Sequence, residues 1–198
     1  MLKEAEFSRE VEHGPSPWWA GYLLTSPLRL LVHNPRKILS PFVRVGMTVL
    51  EPGPGRGFFT LELARLVGPT GKVFASELQS ASIEGLKRRA KRAKLFERIE
   101  IRQASRLSLG LDSRDSVGFA LCFAVAHEVA DPDRFFREIA GALESGGLLL
   151  LAEPDGHVSC RRFGALREAA LACGLEQVVS PSIDGSQVAL LRRTKNLS

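Results

Sequence analysis

The stretch Thr48-Val49-Leu50-Glu51-Pro52-Gly53-Pro54-Gly55-Arg56-Gly57-Phe58-Phe59 decides the fold. It reads as a short buried strand running into three alternating glycines, and then into a helix with apolar residues at Phe59, Leu63, Leu66 and Val67. A glycine-rich turn between strand and helix lets backbone approach a ligand closely, and the helix N-terminus behind it favours negative or strongly polar groups. The plainer alternative is a structural turn, since glycine serves wherever φ is positive. Spacing narrows the cofactor. A dinucleotide fingerprint needs Gly-x-Gly-x-x-Gly, and here the third position is Phe58 in one register and Thr60 in the other. An NAD-dependent reductase is therefore opposed by the glycines.

Downstream, Lys72 to Ser76 reads as a second strand ending at Glu77, twenty positions beyond Gly57. An α/β nucleotide site places a carboxylate there to accept hydrogen bonds from ribose hydroxyls. A basic helix is expected from about Ala81 to Lys94, and Arg98 to Arg102 alternates as a third strand. Asp115 to Phe123 is a nearly all-apolar strand suited to the middle of a parallel sheet. Asp131-Pro132 is an N-cap and N1 pair for a helix with Phe135, Phe136, Ile139, Ala142 and Leu143 on one face, which Gly146-Gly147 is expected to stop. Leu148 to Pro154 is the fifth strand, Arg161 to Cys173 the last helix, and the segments near Gln177 to Ser180 and Gln187 to Arg192 a closing hairpin. This alternation of strand and helix implies a doubly wound α/β architecture with helices on both faces.

The acid and its glycines, Glu51-x-Gly53-x-Gly55-x-Gly57, resemble motif I of the class I S-adenosylmethionine-dependent methyltransferases. Glu77-Leu78 resembles that family's second motif. The passage from Asp115 to Pro154 is similar to the methyltransferase type-11, UbiE-like branch, including His127-Glu128 after strand four and Glu153-Pro154 after strand five. The resemblance implies a Rossmann-like, mostly parallel seven-stranded sheet of order 3-2-1-4-5-7-6 with one antiparallel strand. It also implies S-adenosyl-L-methionine as cofactor, held by Glu51, Gly53, Gly55, Gly57, Phe58, Glu77, Leu78 and Phe123. At Gln103-Ala104-Ser105 the chain departs from the pattern, because relatives usually carry a Gly-Asp pair or another polar residue that bonds the adenine amino group. There Ser105 or the main chain at Ala104 has to serve.

Residues 1–45 form an expected N-terminal helical extension to the methyltransferase domain at 46–198. The extension holds Trp18, Trp19 and Tyr22, with prolines that cut it into short helices and Asn34-Pro35 starting one that ends near Leu39. Its aromatics need a surface to bury against. Either it packs on the sheet or it serves as a lid, with Trp19 and Tyr22 meeting the substrate beside His127 and Glu153. Candidate bases after strands four and five are His127, Glu128, Glu153, Asp155 and His157; His127 is the catalytic candidate because histidine changes charge near neutral pH.

Composition bounds the partners. The 198 residues, 44% hydrophobic and 25% charged, suit a single ordinary globular domain with a small extension. Neither a secretory signal nor an apolar run of membrane length is evident, which makes a cytoplasmic location the default. Cys122, Cys160 and Cys173 are read as reduced thiols in apolar surroundings, and no metal site is expected. The net charge of +5 centres on Lys87 to Lys94, whose apolar positions recur at helical spacing, so the charges form a solvated face. A nucleic-acid acceptor is argued against by Phe123-Ala124-Val125-Ala126, where amino-methylating nucleic-acid enzymes carry an Asn/Asp-Pro-Pro-aromatic tetrad. The expected partner is a small-molecule methyl acceptor, with a homodimer and a non-catalytic cofactor sensor as open alternatives.

Overall fold

The computed structural model describes residues 33–194. Trp19, Tyr22 and most of the expected lid lie outside them. Helix α1 is Pro35–Leu39, strand β1 Thr48–Pro52, helix α2 Thr60–Leu66, strand β2 Lys72–Glu77 and helix α3 Ser80–Arg92. Then come β3 at Ile99–Gln103, β4 at Val117–Phe123, α4 at Pro132–Ala142 and β5 at Leu143–Pro154. The chain closes with α5 at Cys160–Leu171, β6 at Leu175–Val178 and β7 at Ser186–Arg193. The seven strands are ordered β3-β2-β1-β4-β5-β7-β6. Strand β7 runs antiparallel to both β5 and β6, and the other neighbouring pairs are parallel, as expected.

Period-two alternation along the strands sends side chains to two cores. Helices α4 and α5 cover one face, where Phe136, Ile139, Leu166 and Ala170 meet Leu50, Leu149 and Leu151. Helices α1, α2 and α3 cover the other, where Leu39, Leu63, Leu86 and Ala90 meet Val49, Phe119, Leu121 and Leu150. Three caps sit where the residue types direct: the Lys37, Arg134 and Arg162 backbone N–H groups donate to the side chains of Asn34, Asp131 and Ser159. Among the described residues no helix is long and apolar enough to cross a membrane.

Two expectations need correction. Helix α4 stops at Ala142, ahead of Gly146-Gly147, and β5 begins at Leu143, which pairs with Val117. The register shifts between Val117 and Phe119, so the glycine pair lies within an irregular strand start instead of ending a helix. Of the cysteines, Cys122 is buried but Cys160 is exposed in the first turn of α5, outside any apolar setting.

Phe136 has no solvent exposure and ties α4 to the sheet. Phe136→Ala is expected to destabilise the fold by about 3–5 kcal/mol, read as a lower urea midpoint at unchanged slope.

Candidate cofactor and acceptor site

Strand β1 delivers its glycine loop to the C-terminal edge of the sheet, the side on which open α/β sheets bind ligands. Gly53, Gly55 and Gly57 all have positive φ, between 54° and 84°. A Cβ on Gly53 would lie 2.5 Å from Val125 Cγ2, and one on Gly57 would lie 2.5 Å from Leu86 Cδ1. At Gly55 a Cβ would meet nothing within 4 Å. The outer two glycines thus permit close packing, and the middle one faces open space.

Glu77, at the end of β2, fastens this loop. Its Oε2 accepts from the Gly55 N–H at 2.9 Å and its Oε1 from the Gln79 N–H at 2.8 Å. The Gly53 N–H donates to the Ser76 carbonyl at 2.8 Å. Burial pushes the Glu77 carboxyl above its usual range, and the N–H groups of Gln79, Gly55 and Leu78 pull it part-way back. From behind, half-buried Arg89 of α3 donates to the Arg56 carbonyl at 2.7 Å. One residue of the basic helix therefore braces the loop.

A cavity of about 250 Å³ opens at this edge, lined by Gly53, Gly55, Glu77, Leu78, Ala104 and Ser105 among the residues singled out above. Glu51, Gly57, Phe58, Phe123, His127 and Glu153 do not line it. Glu51 is buried at the end of β1, and the Phe58 ring stands edge-on to Phe59 at 4.9 Å. Phe123 is buried between Phe59 and His33, whose ring bonds Ser186 Oγ at 3.1 Å. The far wall comes from Val125, Glu128, Asp131, Arg134 and Glu138; the sequence offered Glu128 as a candidate base and Asp131 only as a helix cap, and it did not mark Arg134 or Glu138 for the site.

That wall exists because the chain leaves β4 through Ala124, a non-glycine residue at φ 57° held by its N–H to the Ala152 carbonyl. The turn lays Val125 over Gly53 and carries His127 toward β5. Such a left-handed alanine is a strained geometry of the kind that concentrates at ligand sites.

Beside the cavity, His127 Nδ1 lies 2.7 Å from Glu153 Oε2, and the His127 backbone N–H donates to Oε1 at 3.2 Å. Glu153 has no solvent exposure, and its carboxylate meets His127. The His127 Nε2 is 3.9 Å from Glu128 Oε1, and the His157 ring lies 6.0 Å away. Burial alone would pull the His127 pKa down; the hydrogen bond and charge of Glu153, with the charge of Glu128, outweigh it and leave the pKa above the ordinary histidine value.

These residues fit S-adenosylmethionine. The open face at Gly55 admits a ligand against backbone, and each Glu77 oxygen that takes one N–H keeps a lone pair for a sugar hydroxyl.

A family model described as a methyltransferase domain matches residues 44–187. A ubiquinone/menaquinone biosynthesis C-methyltransferase, UbiE, from Hahella chejuensis is 30% identical over 111 residues, which cover 56% of this chain and 44% of the relative. The Escherichia coli enzymes of that name are 29% identical over the same length. The chain thus spans less than half the length of the curated relatives that it matches. Among solved structures, an S-adenosylmethionine-dependent methyltransferase from Aquifex aeolicus superposes with a TM-score of 0.80 at 20% identity, over 90% of this chain and 98% of that one. A Haloferax volcanii methyltransferase, solved with its Trm112 activator, gives 0.71 at 17% identity over 89% and 96%. At such identities the two structures speak for the fold alone. The glycine loop, the sheet order and the match over residues 44–187 converge: this chain belongs to the methyltransferase domain family of class I, S-adenosylmethionine-dependent enzymes.

Proposed function

We propose that the chain moves a methyl group from S-adenosylmethionine to a small-molecule acceptor by in-line displacement, with His127 taking the acceptor's proton. The observation that carries this reading is the shared cavity edge. There the glycine loop and Glu77 face the Ala124–Glu128 connection, and that connection bears His127 on its buried partner Glu153. When bound, the cofactor supplies an electrophilic methyl on a cationic sulfur. Glu77 would hold its ribose, Glu51 would favour its ammonium group, and Leu78, Ala104 and Ser105 would flank the base.

Glu153 fixes which imidazole nitrogen is available. With Nδ1–H donated to the buried carboxylate, Nε2 is left as the basic atom, and the carboxylate stabilises the imidazolium that forms. Positioning and water exclusion supply the rest of the rate. The small-molecule class is supported by the relatives named for ubiquinone and menaquinone biosynthesis and by the missing Asn/Asp-Pro-Pro-aromatic tetrad. Trp19 and Tyr22, which lie outside the described residues, are the further acceptor contacts of this reading.

Turnover against a panel of phenolic and other small acceptors, followed by mass spectrometry, tests the function. His127→Ala is expected to lower kcat by about 10²–10⁴-fold while S-adenosylhomocysteine still raises Tm. Unchanged kcat at saturating acceptor removes the base role, and stabilisation by NADH instead of S-adenosylhomocysteine removes the function.

The pKa shift gives a second expectation. A base must be deprotonated, so the acid limb of the kcat/KM profile should lie above the ordinary histidine value and fall toward it in Glu153→Gln. Stability runs the other way, because the native state holds the His127 proton more tightly. The Glu153 contribution is full below the ordinary histidine pKa and is lost as pH rises through the raised one. Chemical denaturation across that window should show this slope in the parent and a flatter one in Glu153→Gln.

A further inference from the structure

The cavity wall from Ala104 to Leu109 lacks the carboxylate or amide that its relatives present to the base, and its serines bond within the turn. The Ser105 N–H donates to the Ser108 carbonyl at 2.8 Å, the Leu107 N–H to Ser105 Oγ at 3.2 Å and the Gly110 N–H to Ser108 Oγ at 3.1 Å. Ser105, the polar side chain expected to meet the adenine, thus has one lone pair engaged within its own turn. Among the described residues, the Arg106 N–H and C=O and the Leu107 C=O have no hydrogen-bond partner, and both residues line the cavity. An adenine edge needs one donor and one acceptor, which this main chain offers.

Main-chain readers discriminate only if the loop cannot shift. Here the loop is pinned from two sides at Leu109. Its carbonyl accepts from buried Ser76 Oγ at 2.6 Å, and its N–H donates to Glu138 Oε2 at 2.7 Å. The same Glu138 oxygen accepts from Ser108 Oγ at 3.1 Å. Arg134, one turn earlier on α4, stands with its Nε 3.6 Å from Glu138 Oε1. Ser76 belongs to the sheet, whereas Glu138 reaches across from α4, a helix whose buried residues are all apolar.

We propose that Glu138 is a positioning residue for the cofactor's base: its carboxylate, braced by Arg134, holds the 104–109 turn so that the backbone of Arg106 and Leu107 reads the adenine edge. This rests on the assignment of S-adenosylmethionine to the cavity. The residue departs from the chemistry expected at Ser105, because the acid acts on the loop from outside instead of belonging to it.

The test is calorimetric titration of S-adenosylhomocysteine and of S-inosylhomocysteine, in which the amino group is replaced by oxygen. The full chain is compared with Glu138→Ala, Glu138→Gln and Ser108→Ala. The parent should prefer the adenine compound; Glu138→Ala should weaken it by about tenfold or more and bring the two affinities together. Glu138→Gln should keep most of the preference, since an amide oxygen still accepts from the Leu109 N–H, and Ser108→Ala should fall between. If Glu138→Ala fails to fold, a graded loss of preference in the other two supports the proposal in its place. Equal weakening of both ligands, or an unchanged ratio in the variants, overturns the proposal and marks Glu138 as structural only. A parent that binds neither ligand overturns instead the cofactor assignment.

Discussion

A single carboxylate organises the working edge of this molecule. Glu77 sits where β2 ends, and by accepting one backbone N–H from the glycine loop and one from its own exit it fixes two loops against each other. Backbone donors oriented by a buried charge need no reorganisation when a ligand arrives, and charge-assisted bonds of this kind are the stronger sort. Burial works against the charge, which is why the carboxyl is displaced upward and why the N–H groups are needed to hold it. Every other part of the cradle either permits this bridge or backs it. Gly53 and Gly57 allow Val125 and Leu86 to close in, and Arg89 ties the loop to α3.

The opposite wall depends on the first, and on the sheet between them. Strands β1 and β4 are neighbours, so their exits meet, and the left-handed turn at Ala124 brings the β4 exit over the glycines. Strand β5, next in order, contributes Glu153 beneath His127. The parallel order thus gathers three acidic strand ends, Glu51, Glu77 and Glu153, at one edge, although they come from distant parts of the chain. Glu77 meets backbone N–H groups and Glu153 meets His127, as burial of polar groups demands. Helix α4 then adds Glu138 to the rim.

Much of this was legible because it is local. Alternating glycines after an apolar strand, the acid twenty residues on, and Asx-Pro pairs at two helix starts are patterns set by neighbouring residues, and the architecture follows from their alternation. Whatever depended on a distant partner was not legible. Gly146-Gly147 resembles a helix stop until β4 claims Leu143 for the sheet. Phe123 looks like a cofactor neighbour, yet strand alternation turns it toward Phe59. Glu153 and His127 are 26 residues apart and could be paired only once β4 and β5 were adjacent. Alanine carries no turn signal, so the strained Ala124 was invisible, and no local pattern in α4 singles out Glu138.

The central claim is that the Glu77 bridge and the glycine loop form a receptor for the cofactor's nucleoside. Isothermal titration of S-adenosylhomocysteine into the full chain and into Glu77→Gln addresses it most directly. The amide keeps the shape but turns an NH₂ toward a backbone N–H that needs an acceptor. The expected result is one-to-one uptake by the parent and affinity lower by about tenfold or more in a variant that stays folded. Equal affinity in the two proteins, or no uptake by the well-folded parent, would contradict the account.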